Sequence, residues 1–201
     1  MRDSVDDAKR RIRQEVRAER GARVESDRQV AAAAITEQLV NLVTRLGARS
    51  VACYLPVPGE PDTTGFLSWA RAHDIDVLLP SAREDGLLDW IRPLAEGTVT
   101  GAFGIPEPLG EHLSPLAVSE VDLMLIPACA VDQHGVRLGW GRGYFDRNLG
   151  ALRKRPPVFA VIYESEFFAE LPNETHDVPV IGVVTPDRTV LFGQGDPPIN
   201  G

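Results

Sequence analysis

An α/β fold is predicted for this chain of 201 residues: three α/β/α layers, a mainly parallel sheet and an N-terminal helix pair. Two observations carry the prediction. Short apolar runs of strand length recur along the chain, at 51–56, 75–80, 121–127, 158–163 and 180–185. They are nearly continuous rather than alternating, as strands buried on both faces are. Helical segments fall between strands, and that alternation is the pattern of crossover connections in a parallel sheet.

The elements follow in order. Residues 6–20 read as a charged helix with a thin apolar stripe of Val5, Ala8, Ile12 and Val16. Ser26 and Asp27 can cap a second helix, with Val30, Ala34, Ile35, Leu39, Leu42, Val43 and Leu46 on its buried side and Gly47 at its end. VACYLP (51–56) is the first strand. A helix over 63–72 leads to IDVLLP (75–80). LLDWIRP (87–93) reads as a third strand at a sheet edge, and 96–115 as a loop-rich stretch. VDLMLIP (121–127) is the strongest strand pattern. A further helix starts inside a glycine-rich stretch and runs through Tyr144 and Leu149 to about Leu152. VFAVIY, VIGVVT and a last turn and strand in PDRTVLF complete the sheet. The whole reads as one domain, 1–201, with the helix pair as an appendage and a frayed tail from about 193.

Composition narrows the function classes. The chain is 43% hydrophobic and 25% charged, which excludes a largely disordered polypeptide. Its net charge of −8 disfavours non-specific binding to nucleic acid or acidic membranes, so any anion site must be a local cluster of basic groups. No run approaches the ~20 apolar residues of a membrane span, and no secretory leader is expected. Cys53 and Cys129 each lie in or beside an apolar run and lack disulfide or zinc spacing, so both read as small buried hydrophobes. A cytoplasmic, reducing location is expected.

The chemistry is concentrated in DQHGVRLGWGRGYFDRNL (132–149), with glycines at 135, 139, 141 and 143. It follows a predicted parallel strand, and ligands of open α/β sheets bind at the carboxyl ends of strands. Glycines there let the backbone approach a ligand, and successive N–H groups followed by a helix N-terminus can ring an anion. Arg137 and Arg142 add forked donors. The Gly-Lys-Ser/Thr ending of a Walker loop is missing, and the spacing does not fit a dinucleotide fingerprint. The plainer alternative is a flexible turn with surface arginines. Asp146 alone reads as a first-turn acid favouring the helix dipole. Beside a polyphosphate it becomes a candidate magnesium ligand.

GVRLGWGRGYFDRNL closely resembles the signature of the 5-formyltetrahydrofolate cyclo-ligase (5,10-methenyltetrahydrofolate synthetase) family, approximately G-x-R-L-G-x-G-x-G-Y-Y-D-x-x-L. Phe145 stands where the second tyrosine is usual. KRRIR (9–13), YLPVPGEPDT (54–63), FGIPEP (103–108) and HDVPVIGVVT (176–185) resemble further family segments in the same order. In the last, Val180-Ile181-Gly182 departs from the usual centre.

The resemblance implies an enzyme that converts 5-formyltetrahydrofolate and ATP, with magnesium, into 5,10-methenyltetrahydrofolate, ADP and phosphate. It implies an ATP-binding loop of Arg137, Leu138, Gly139, Trp140, Gly141, Arg142, Gly143, Tyr144 and Phe145. Arg137 and Arg142 would stabilise charge on the transferring phosphate. Lys9, Arg10, Arg11, Ile12 and Arg13 would reach the nucleotide from the first helix, although alone they read as a solvated basic face. Glu60 would accept the pterin's N–H groups, where alone it reads as a loop acid. Leu55, Phe103, Trp140 and Tyr144 would line the folate pocket. Asp146 and Asp177 would contact magnesium; His176 gains no role. Asp132, His134 and Asp122 read as turn or strand-end residues.

Two other readings compete. One is a non-catalytic or differently specific folate- or nucleotide-binding relative; the presence of Glu60, Lys9, Arg137 and Asp146 together favours an active enzyme. The other, a nucleic-acid-binding domain using the basic first helix, is disfavoured by the net charge and the lack of a binding motif. The expected partners are therefore small molecules, with no nucleic acid and no membrane, and the chain is expected to act as a monomer.

Overall fold

The computed structural model describes residues 4–101, 106–173 and 178–193. Phe103, His176 and Asp177 lie outside the described residues. Two long helices come first, α1 (Val5–Ala22) and α2 (Glu25–Leu46). The Ser4 hydroxyl caps α1 by accepting from the Asp7 amide. The cap predicted at Ser26 and Asp27 is not used: α2 begins one residue earlier, at Glu25, after Val24. Both predicted capping residues therefore lie in its first turn.

The main sheet has eight strands: β1 (Ser50–Ala52), β2 (Asp76–Ala82), β3 (Leu88–Thr100), β4 (Pro106–Leu113), β5 (Leu123–Pro127), β8 (Val158–Val161), β10 (Gly182–Val184) and β11 (Thr189–Leu191). The intervening numbers belong to three short strands of a second sheet, β6 (Ala130–Asp132), β7 (Arg137–Leu138) and β9 (Phe167–Phe168). Helices α3 (Thr64–Ala72) and α4 (Tyr144–Ala151) complete the fold. The order across the main sheet is β11-β10-β8-β5-β1-β2-β3-β4. The five strands from β10 to β2 are mutually parallel. Antiparallel β11 extends one edge, and β3 and β4 extend the other.

Strand parity divides the core in two. Val51, Cys53, Leu79, Leu123, Leu125, Phe159 and Val161 face Ile35, Leu39 and Leu42 of α2 and Phe66 of α3. Ala52, Leu78, Met124, Ile126 and Ala160 face Leu149 of α4, Val118 and Val131. Each buried strand thus covers two cores with alternate residues, which is why its sequence is apolar throughout. Helix α1 packs instead on the second sheet, where Val16 meets Cys129, Ala130 and Leu138.

Three expectations are corrected. The first strand stops at Ala52, so Leu55 belongs to the loop beyond it. The strand expected over 87–93 is not the edge, and the stretch 96–115 is not mainly loop. Strand β3 runs on to Thr100 and pairs antiparallel with β4, from Trp90↔Leu113 to Thr100↔Pro106. The β-branched Thr98, Val99 and Thr100 suit a strand, and Pro106 and Pro108 are tolerated because β4 is the edge strand. The second sheet was not foreseen, because two- and three-residue strands carry no periodicity.

Candidate functional site

The site is built at the carboxyl end of β5. Beyond Pro127 the chain forms a hairpin of β6 and β7, paired Ala130↔Leu138 and Val131↔Arg137. Buried Asp132 fixes its turn: Oδ1 accepts from the amides of His134 (2.8 Å) and Val136 (2.9 Å), and Oδ2 accepts from the Leu171 amide (3.0 Å). The hairpin returns Arg137 to the sheet end with 4% exposure. Its Nη2 donates to Oδ1 of Asp146 in the first turn of α4, while its buried Nε has no hydrogen-bond partner among the described residues.

The glycine loop lies between these two charges. Gly141 and Gly143 have φ of 93° and 66°, and Gly143 is the N-cap of α4. A side chain at either position would strain the backbone, so the sequence reserves both for glycine. The loop is held from outside. Arg13 of α1 donates through Nε to the Gly139 carbonyl at 2.8 Å. Arg147 donates through Nη2 to the Arg142 carbonyl at 2.7 Å. Tyr144 donates its hydroxyl to the Arg83 carbonyl at 3.3 Å.

Opposite stands the loop carrying Glu60. Thr63 donates to the Tyr54 carbonyl at 2.8 Å, and the Tyr54 hydroxyl donates to the Pro61 carbonyl at 2.8 Å. The Glu60 carboxylate accepts from the Val57 amide at 3.2 Å. Burial raises the Glu60 carboxyl above its ordinary value, with the Val57 amide and the Arg20 charge pulling it back only in part.

A cleft of about 290 Å³ lies between the two loops. It gathers Leu55, Glu60, Arg137, Gly139, Trp140, Arg142, Gly143, Tyr144, Phe145 and Asp146 from the sequence-predicted set. Leu138 and Gly141 belong to the same hairpin and loop, with Leu138 packed beneath against α1. On α1, Lys9 is buried, Ile12 packs on the second sheet and Arg13 reaches the loop. Arg10 is exposed and pairs with Asp7 at 3.1 Å, and Arg11 is exposed.

Sequence reading missed a buried pair beneath the site. Arg20 of α1 donates through Nε to Glu166 Oε1 at 2.6 Å and through Nη2 to Oε2 at 2.7 Å, and Nη2 also reaches the Ala128 carbonyl at 2.8 Å. Its guanidinium lies 4.9 Å from the Trp140 ring centre and 5.6 Å from that of Tyr163. Burial opposes the Arg20 charge, but the Glu166 hydrogen bonds and charge outweigh it and raise the arginine above its usual value. One signal was available: Arg20 continues the 12-16 apolar series by four residues, and an arginine on a buried face needs a partner. Nothing in the sequence points to Glu166, which lies 146 residues away.

Among the described residues no three side chains of His, Cys, Asp or Glu cluster to hold a metal. Asp146 alone, with one oxygen committed to Arg137 and a quarter of its side chain exposed, fits an ion that takes most of its ligands from phosphate and water. Magnesium binds in that way.

Fold and site together define an α/β protein whose glycine loop and helix N-terminus meet a cleft at the carboxyl end of a parallel strand, a place where such sheets bind ligands. The comparisons with known proteins make this specific. Residues 5–186 match the 5-formyltetrahydrofolate cyclo-ligase family. A 5-formyltetrahydrofolate cyclo-ligase of Mycolicibacterium smegmatis is 36% identical over 152 residues, covering 73% of this chain and 78% of that protein. One of Haemophilus influenzae is 28% identical over 181 residues, covering 88% and 96%. The NMR structure of Aquifex aeolicus 5,10-methenyltetrahydrofolate synthetase superposes with a TM-score of 0.79 at 30% identity, covering 94% of this chain and 95% of that one. The chain belongs to the 5-formyltetrahydrofolate cyclo-ligase family.

Proposed function

We propose that the chain catalyses the ATP-dependent cyclisation of 5-formyltetrahydrofolate to 5,10-methenyltetrahydrofolate, with ADP and phosphate as co-products. One observation carries the reading beyond family membership: a single cleft joins a partly buried carboxylate, Glu60, to an anion-receptive glycine loop with Arg137 and Asp146. A folate and the phosphates of a nucleotide can meet there.

The chemistry requires that meeting. A formamide oxygen is a poor leaving group, so N10 cannot displace it unaided. The γ-phosphoryl group of ATP passes to the formyl oxygen, ADP departs, and an iminium phosphate results. N10 attacks its carbon and loses its proton, and the C–O bond breaks to release phosphate. The chain's residues orient the partners and balance charge. Glu60 accepts the pterin N–H groups, and Leu55 and Tyr144 line the pocket. Amides of the loop from Gly139 to Gly143, with Arg137 and Arg142, receive the phosphates; Arg13 holds the loop from α1, and Lys9 on the same helix reaches the nucleotide. Asp146 would hold magnesium, which would supply charge neutralisation for the phosphates. Asp177 and Phe103 complete the metal and pterin contacts in this proposal.

The enzyme acts as a monomer in the cytoplasm, a reducing compartment that suits two buried free thiols. No helix among the described residues is long and apolar enough to cross a membrane. The test is the stoichiometry of ADP release, followed by a coupled assay. One ADP per folate converted, and none without folate, is expected. ADP release that ignores folate would overturn the reading.

A further inference from the structure

Arg147 closes the first turn of α4, its amide donating to the Gly143 carbonyl at 3.0 Å. The helix dipole disfavours a cation there. Its place is explained by what the side chain holds. Nε donates to the Gly86 carbonyl at 2.8 Å and Nη2 to the Arg142 carbonyl at 2.7 Å, so one guanidinium joins the β2–β3 turn to the glycine loop. Glycines leave room for it on both sides. A Cβ on Gly86 would lie 2.7 Å from Nη2, and one on Gly143 would lie 2.9 Å from Nη1. The turn is a firm anchor. The Arg83 amide donates to the Leu87 carbonyl at 3.0 Å, and the Arg83 guanidinium pairs with Asp85 at 2.6 Å and Asp89 at 3.2 Å.

The consequence falls on one amide. The Arg142 carbonyl and the Gly143 N–H belong to one trans peptide and point in opposite directions. Arg142 and Gly143 line the cleft and Arg147 does not. Resting on the ATP reading above, we propose that Arg147 is a positioning residue for the nucleotide. By pinning the Arg142 carbonyl to its own side, it keeps the Gly143 amide turned toward the phosphates. Arg13 does the same at the other end of the loop, where it holds the Gly139 carbonyl and so orients the Trp140 amide. Arg147 adds what Arg13 cannot, a tie from the loop to the main sheet through β2 and β3.

The test is calorimetric binding of ATP with magnesium, and separately of 5-formyltetrahydrofolate, to the wild-type protein and to Arg147→Met, Arg147→Lys, Gly86→Ala and the double variant Gly86→Ala/Arg147→Met. Arg147→Met keeps the stem and removes the donors, and ATP binding should weaken about fivefold. Folate affinity should stay within about twofold, which also shows that the cleft is folded. Lysine keeps the charge without the fork and should recover little of the loss. The Gly86→Ala methyl should push the guanidinium off its partners and weaken ATP as well. Once the guanidinium is gone that methyl has nothing to push, so the double variant should bind ATP no worse than Arg147→Met alone. Unchanged ATP affinity in Arg147→Met, an equal loss of folate binding, full recovery by lysine, or losses that multiply in the double variant would each overturn the proposal. With a wild type that binds ATP and turns the folate over, those outcomes leave the function proposed above intact; a wild type that does neither overturns both.

Discussion

In the proposed function Arg137 joins recognition to catalysis: it is buried, paired with Asp146, and lines the cleft beside the glycine loop assigned to the phosphates. Removing a donor of this kind typically costs roughly 10²–10³-fold in kcat. Arg137→Gln is therefore expected to lower kcat by that order with a smaller change in KM, and near-normal turnover would refute its role. Glu60 gives a pH prediction. Only its ionised form accepts N–H groups through both oxygens with a full charge, and burial raises its carboxyl above the ordinary value. Folate affinity is then full above that raised value and lost as pH falls through it, beginning at a higher pH than for an exposed glutamate. In kcat/KM profiles this acid limb should vanish in Glu60→Gln; an unaltered limb would exclude Glu60 as its source. Both residues were legible in the sequence, because glycine spacing and family resemblance mark their loops. Arg20 and Glu166 were not, because a buried ion pair joins residues of different elements without any local pattern. Yet that pair fastens α1 under the loop. Removing one partner of a buried pair costs about 3–5 kcal/mol, so Glu166→Ala should unfold at markedly lower denaturant; an unchanged midpoint would contradict the pair's importance.

At the scale of elements, periodic segments read well and short or irregular ones did not. The buried parallel strands and the helices α1 to α4 were visible in apolar runs and helical spacing. The antiparallel β3–β4 pair was hidden by glycines and prolines, which mark loops in most contexts but are compatible with an edge strand. The departure at Gly182 also has an elemental cause. Strand β10 passes beside β8, and a Cβ on Gly182 would lie 2.3 Å from the Phe159 ring and 2.6 Å from the Val190 carbonyl oxygen. The glycine accommodates the phenylalanine of the neighbouring strand. Gly182→Ala is expected to destabilise the fold by about 1–3 kcal/mol through overpacking. A second change, Phe159→Leu, should relieve part of that loss, and additive losses in the double variant would refute the contact.

At the scale of the whole molecule, the sheet separates two cores while its carboxyl end gathers the loops of β1, β5 and the β6–β7 hairpin into one site. Helix α1 spans that end, carrying Arg13 to the glycine loop and Arg20 to the pair beneath it. The α/β class with a largely parallel sheet was predictable from the alternation of strands and helices. The second sheet that seats α1 was not, although it sets where the helix meets the site. Sedimentation should show a single species of one chain's mass, and a stable dimer would contradict the monomer proposed above. The central claim is that this one cleft unites a folate with ATP. Its most direct test is the near-ultraviolet absorbance of methenyltetrahydrofolate in a mixture of protein, 5-formyltetrahydrofolate, ATP and magnesium. Absorbance should rise with the complete mixture and stay flat when ATP is withheld. A flat trace from the complete mixture at high enzyme concentration, or an equal rise without ATP, would contradict the account.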